Sequence, residues 1–259
     1  MNKGIIDYNM LLDIDNKYYH NLSVDVVIFG YHDRSLRVLL MRPSNVERWM
    51  LPGGYIRRDQ TVEEAAVQVV QDRTRLLNLS LYQSGVYSQP GRTRGQAESL
   101  LPFFEKIGLK PTKDYWMFND FVSVSFFALV EYSKVFPSGD YISEECQWFD
   151  VFCLPEILYD HKDMIVGAMS HIRSMAYFHP FGYTLLPQKF TLPEIHSLYE
   201  TILGRKLDER NFSKKLVKLG IIIKLDEVRN IGAHRSPYLY MFCKDRYDEL
   251  RKKNDVIIL

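Results

Sequence analysis

Apolar residues in this chain recur with two periods, and the places where the period changes predict its elements. Short aliphatic or alternating runs at residues 22–29 (LSVDVVIF), 36–41 (LRVLLM), 79–87, 121–130 (FVSVSFFALV) and 145–152 predict strands. The first two are separated only by GYHDRS, which predicts a hairpin or a neighbouring pair. In 121–130, Val122, Val124 and Phe126 alternate with Ser123 and Ser125, so one face should pack and the other should line something polar. Helical spacing runs through Val62, Ala65, Ala66, Val69, Val70 and Leu76, and again through Met164, Ile165, Ala168, Ile172 and Met175. A short helix is expected at 8–12 and another at 99–107.

The break His179-Pro180-Phe181-Gly182 ends the second long helix, and the domain boundary is expected there, dividing 1–180 from 181–259. Beyond it, Ile195, Leu198, Tyr199 and Ile202 mark one helix, with Leu192 and Pro193 at its start. Phe212, Leu216 and Leu219 mark a second helix over 208–219. Strand-like stretches follow at 221–225 and 238–242, joined by VRNIGAHRSP. Helix, helix, ribbon is the order of a winged helix-turn-helix.

Composition narrows this picture. The chain has 259 residues, 46% hydrophobic and 25% charged, which suits one large globular domain or two ordinary ones. A net charge of +1 gives no global pull on nucleic acid, so any basic footprint must be local. Residues 181–259 carry about five more basic than acidic side chains, and that asymmetry is a nucleic-acid cue. Cys146, Cys153 and Cys243 are an odd count without metal spacing and predict reduced thiols in a cytoplasmic protein. No apolar run reaches the roughly 18 residues of a membrane span, and acids scattered through the first 20 residues argue against a signal peptide.

The chemistry of the 208–219 helix is the sharpest signal. Opposite its apolar face lie Asn211, Lys214, Lys215 and Lys218, with Arg210 beside them. Lysines reach phosphates, and Asn or Arg reads base edges in a major groove. A solvated charged face is the bland alternative. The loop holding Arg229, His234 and Arg235 between two strands weighs for the DNA reading.

The other organising stretch is LPGG (51–54) followed by the helix that starts near Thr61, whose hydroxyl can cap it with Glu63 and Glu64 against the dipole. Gly53 and Gly54 are expected to take positive φ and to admit close approach of a backbone or ligand. This stretch resembles the Nudix signature, a glycine turn plus helix that holds divalent metal for hydrolysis of nucleoside diphosphate derivatives. Gln60 stands at its first Glu, Gln68-Val69 at its Arg-Glu pair, Asp72-Arg73 at its Glu-Glu pair and Arg75 at its Gly. Magnesium wants hard anionic oxygens, whereas Val69 offers none and Arg73 brings a cation. The expectation is a retained scaffold with no catalytic residue, no metal ligand and no cofactor.

The whole chain resembles the Nudix-related transcriptional regulators, through VDVVIFG (24–30), LPGG, FVSVSFFALV, YDH (159–161), LLPQKFTL (185–192), LYE (198–200) and LDERNFSKK (207–215). The resemblance implies an α+β chain, a Nudix-like α/β/α sandwich with a C-terminal winged helix-turn-helix domain. It implies a regulator that binds a double-stranded DNA operator as a homodimer. Its effector would be a small molecule, a sugar such as a pentose or an ADP-ribose-like metabolite. The rival reading is an active Nudix hydrolase with an appended winged helix.

Ligand contacts are expected from Asp25, Arg42, Trp49, Gly54, Arg92 and Arg94. Asp25 has two open roles, a structural pair or a pocket carboxylate. Trp49 either stacks on ligand or packs, and Arg92 and Arg94 either clamp an anion or solvate their loop. Asp160 is expected as a helix N-cap and His161 as a domain-contact residue. The connection 88–120, with Arg92, Arg94, Tyr115 and Trp116, is long enough to gate a ligand site or to be a surface insertion.

Overall fold

The computed structural model describes residues 17–77, 79–94, 101–106, 116–137, 143–177, 181–230 and 236–253. The expected helix at 8–12, the break at 179–180, Tyr115, His234 and Arg235 lie outside them. Two compact units emerge: residues to 29, 37–129 and 134–168 form one, and residues 30–36, 130–133 and 169 onwards form the other.

The first unit is built on a six-stranded sheet of β1 (Tyr18–His32), β2 (Ser35–Pro43), β3 (Gly53–Arg57), β4 (Leu81–Tyr87), β5 (Val122–Val130) and β6 (Ser143–Asp150). Their order is β4-β5-β1-β2-β6, with β3 also paired to β1. Val24 and Val26 to Phe29 are buried without alternation, as expected of a central strand covered on both faces. β1 turns into β2 through Asp33 and Arg34, both at positive φ (49° and 59°), the backbone of a type I′ hairpin turn.

Helix α1 (Val62–Thr74) opens with a capping box in which Thr61 Oγ1 accepts the Glu64 N–H and Glu64 returns a carboxylate to the Thr61 N–H. It ends on Arg75 in the left-handed conformation, φ 62°. The Nudix signature asks for glycine at this position, and the backbone shows why. α2 (Leu101–Lys106) is the described part of the helix expected at 99–107. α3 (His161–Met175) follows the sheet.

The second unit runs α4 (Gly182–Leu185), β7 (Phe190–Thr191), α5 (Leu192–Leu203), α6 (Glu209–Lys218), β8 (Ile222–Val228), β9 (Tyr238–Phe242) and α7 (Lys244–Lys253). β7, β9 and β8 form an antiparallel three-stranded sheet in that order. Residues Phe190 and Thr191 supply the third strand, which the sequence pattern does not reveal. Phe190, Ile195, Leu198, Tyr199, Ile202, Phe212 and Leu216 are buried together with Phe242, whose ring lies 4.5 Å from Phe190. Leu219, expected on the apolar face of α6, is its half-buried C-cap instead.

Candidate functional site

The glycine turn is extended rather than left-handed. Gly53 and Gly54 lie in β3, paired with Asp25 and Val24, and neither has positive φ. The positive φ expected there is thus corrected: glycine is required by close packing. A Cβ at Gly53 would stand 2.3 Å from Asp25 Oδ1 and 2.9 Å from the Val24 carbonyl. Gly54 meets Val69 of α1 in the same way, at 3.3 Å.

Of the two roles open to Asp25, the structure supplies partners for the structural one. Its carboxylate is 6% exposed, accepts a hydrogen bond from Ser123 Oγ and faces His161 Nε2 at 3.5 Å. The Leu51 N–H donates to His161 Nδ1 at 3.0 Å, which leaves the ring proton on Nε2, toward Asp25. His161 is thus an interior link between the glycine turn and β1. Burial lowers its pKa against the opposing pull of Asp25. Tyr159, left-handed at φ 57° and half-buried, has its hydroxyl pushed up to about 12, first by desolvation and then by the charge of Asp25. The serines of β5 are buried, Ser125 bonding Ser84 at 2.9 Å, while on the other face exposure falls from Val122 through half-buried Val124 to buried Phe126.

Arg92 is also interior. Its guanidinium binds both Asp160 oxygens, at 2.8 and 2.6 Å, and the Phe121 carbonyl at 2.9 Å. Asp160 starts α3 with its backbone carbonyl, which accepts the Asp163 N–H, while its side chain serves Arg92. Arg94 is exposed. Its N–H, with those of Gly91 and Thr93, converges on the Asp120 carboxylate, which holds Asp120 below the usual carboxylate range and ties the ends of the long connection together. Trp116 is buried in the same connection, stacked on His20 at 4.7 Å. Arg42 and Trp49 do come together, guanidinium over indole at 5.6 Å, with Arg42 paired to Glu145 and Trp49 edge-on to Phe149.

The divalent metal that a Nudix fold implies does not fit α1. Val69 is buried beneath Gly54, the Arg73 guanidinium occupies the interior at 5% exposure, and Gln68 donates to Asp72 at 2.8 Å. No group of three or more His, Cys, Asp or Glu among the described residues is arranged to hold a metal ion.

In the second unit the hydrogen bonds fix α6. Gly204 caps α5 at φ 66°, and the next turn is held by Glu200, which accepts the Leu207 N–H at 2.9 Å and Lys206 Nζ at 3.2 Å. These bonds, the Leu207 N–H foremost, keep Glu200 below the usual carboxylate range. His196 Nε2 meets the Leu207 carbonyl at 3.0 Å, and Asp208 caps α6 by accepting the Asn211 N–H at 2.7 Å. Phe212 packs on His196 and Tyr199.

This leaves Arg210, Asn211, Lys214 and Lys218 exposed, with Lys215 half-buried. Arg210, Lys214 and Lys218 make no ion pair with any described residue. Arg229, expected to contact DNA from the wing, has partners within its own unit. It pairs with Glu194, donates to the Lys189 carbonyl at 3.1 Å and bonds the Pro237 carbonyl through its own N–H. Sequence reasoning missed Glu194 and Glu200. Glu194 was legible as the partner of Thr191 in a capping box, whereas Glu200 carries no local signal of its own.

Residues 182–242 match the family model of the NrtR DNA-binding winged helix domain. The chain is 25% identical to the ADPR responsive transcriptional repressor NtrR of Acinetobacter baylyi over 238 residues, 88% of this chain and 84% of that one. It shares its fold with Shewanella oneidensis NrtR, crystallised with a 27mer DNA, at a TM-score of 0.65 and 23% identity over 88% of this chain and 95% of the other. A MutT/nudix family protein from Enterococcus faecalis aligns at a TM-score of 0.60 and 17% identity over 93% of this chain and 95% of its own. The chain has a Nudix fold followed by a winged helix of the NrtR type.

Proposed function

We infer, from a chain that joins a Nudix fold to an NrtR-type winged helix, that this protein is a DNA-binding transcriptional regulator whose first domain senses an ADP-ribose-like metabolite. The observation that carries the reading is the outward face of α6, where Arg210, Lys214 and Lys218 stand exposed without an ion-pair partner among the described residues. Uncompensated cations on a capped, well-anchored helix suit a phosphate backbone. The effector class is supported by similarity to the ADPR responsive repressor, which spans both units and favours ADP-ribose over a free pentose.

The sensor binds without hydrolysing, because α1 offers Val69 and Arg73 where a metal needs carboxylates. Arg94 and the Arg42–Trp49 pair are the nominated ligand groups not consumed in the interior. The regulator acts as a homodimer on a palindrome, with two copies of α6 about one or two helical turns apart.

The test begins with duplexes enriched by the full-length protein from a randomised pool. Affinity for them is measured with ADP-ribose, ribose or arabinose, and the protein-to-duplex ratio by sedimentation. ADP-ribose is expected to change DNA affinity and, at 100 times its Kd, to add about 2.7 kcal/mol of apparent stability, while remaining intact in the presence of magnesium. Failure to enrich any duplex overturns the DNA reading. A shift with a pentose alone overturns the effector class, and magnesium-dependent cleavage of ADP-ribose overturns the sensor reading.

A further inference from the structure

We propose that Val217 reads a thymine 5-methyl group in the major groove, an inference that rests on the DNA-binding reading and deepens it. An α-helix turns by about 100° per residue, so Arg210, Lys214 and Val217, spaced i, i+4, i+7, form one stripe. Phe212 and Leu216, the other apolar residues of α6, are buried on the opposite side. Val217 alone among the apolar residues of this helix is left in water, at 50% exposure.

Its neighbours decide what covers it. Lys218 follows it in sequence, Lys214 lies one turn earlier and Arg210 two turns earlier on the same stripe, all exposed and without ion-pair partners among the described residues. The same face of a second copy would bring six such cations together, so a self-interface on this stripe is electrostatically opposed. A polyanion is the complementary occupant. Within the major groove of duplex DNA the base edges offer hydrogen-bonding groups and one apolar group, the C5-methyl of thymine. A branched aliphatic side chain set between phosphate-seeking cations matches that methyl and nothing else on the groove floor. Helix α6, at ten residues, is about 15 Å long, comparable to a groove about 12 Å wide, so its last turn stays within reach of base edges.

The experiment uses the full-length protein and a duplex it enriches from a randomised pool. Each thymine in that duplex is replaced singly by deoxyuridine, which deletes only the methyl. Wild-type protein is expected to lose about fourfold in affinity at one thymine per half-site, the size of one buried methyl-sized group. Val217→Ala, which removes the contact in both half-sites, is expected to bind the parent duplex about as weakly as the wild type binds a duplex carrying deoxyuridine at both of those thymines, about sixteenfold, and to be indifferent to either replacement. Alanine is the better helix former, so the variant keeps its fold. Wild-type binding unchanged on every deoxyuridine duplex overturns the assignment, as does a penalty that persists in full in Val217→Ala. A protein that enriches no duplex at all fails at the DNA-binding reading instead.

Discussion

Arg92 in the first unit and Lys214 in the second are both cations that the sequence nominates for an anionic partner, and the structure treats them oppositely. Arg92 is sealed inside with its guanidinium on Asp160 and a backbone carbonyl. Lys214 extends from α6 with Arg210 and Lys218, and no described carboxylate meets any of them. A cation whose counter-ion comes from its own fold contributes to stability. One whose counter-ion is missing contributes to recognition. The two kinds are expected to separate in mutational response.

The largest expected effect is on folding. Arg92→Ala leaves the half-buried Asp160 carboxylate without its partner and is expected to cost about 3 kcal/mol in urea unfolding, while Lys214→Ala stays within about 0.5 kcal/mol. Equal stabilities for the two variants would erase the contrast.

Next comes recognition. Asn211→Ala removes an exposed amide and is expected to cost about 1–3 kcal/mol on an enriched duplex and little on a scrambled one. Lys214→Ala and Lys218→Ala should instead weaken binding to both duplexes and lower the salt slope by about one each. Titrations at two salt concentrations separate the classes.

A third effect sharpens the picture of the first unit. Burial lowers the pKa of His161, so the folded state favours the neutral ring. Stability from this group is complete above the unfolded value near 6.5 and is lost as pH falls toward the lowered folded value, by at most about 1.4 kcal/mol per pH unit. His161→Asn should flatten the denaturation midpoint against pH below about 6.5, and an unchanged pH profile would count against the buried pair.

The smallest effect tests Arg229, the wing residue that belongs with the paired cations. Its bridge to Glu194 is partly exposed, so Arg229→Ala should cost about 0–1 kcal/mol in stability. It should leave the salt slope of DNA binding unchanged; a slope lowered by about one would return Arg229 to the phosphate contacts.

These contrasts also mark how far the sequence could be read. In the second unit the signals are local. Thr191 with Glu194, Gly204 after α5 and Asp208 with the Asn211 N–H each act within a few residues, so helix, helix and ribbon are legible in order. In the first unit the deciding partners are distant. Ser123 and Asp25 lie 98 residues apart, and Arg92 and Asp160 lie 68 apart. Alternation in 121–130 tells which residues share a face, but not which face is inside: both serines are buried, and of the other set only Phe126 is. The Gly-Gly pair showed that something must come close, without showing that it was the Asp25 carboxylate. Val217 escaped notice because, next to Leu216, an apolar residue reads as core until its exposure is known.

Glu194 ties two otherwise separate tasks to one carboxylate. One oxygen accepts the Thr191 N–H and hydroxyl at 2.7 and 3.0 Å, and the other receives Arg229 from the loop end of the β8–β9 hairpin. For an engineer, helix start and hairpin are therefore not interchangeable parts. A hairpin transplanted from another regulator must bring a cation at position 229, or the graft leaves an acid with half its work undone. Substitutions at 191 and 229, though 38 positions apart, should show epistasis, so that neither can be scored on its own background alone.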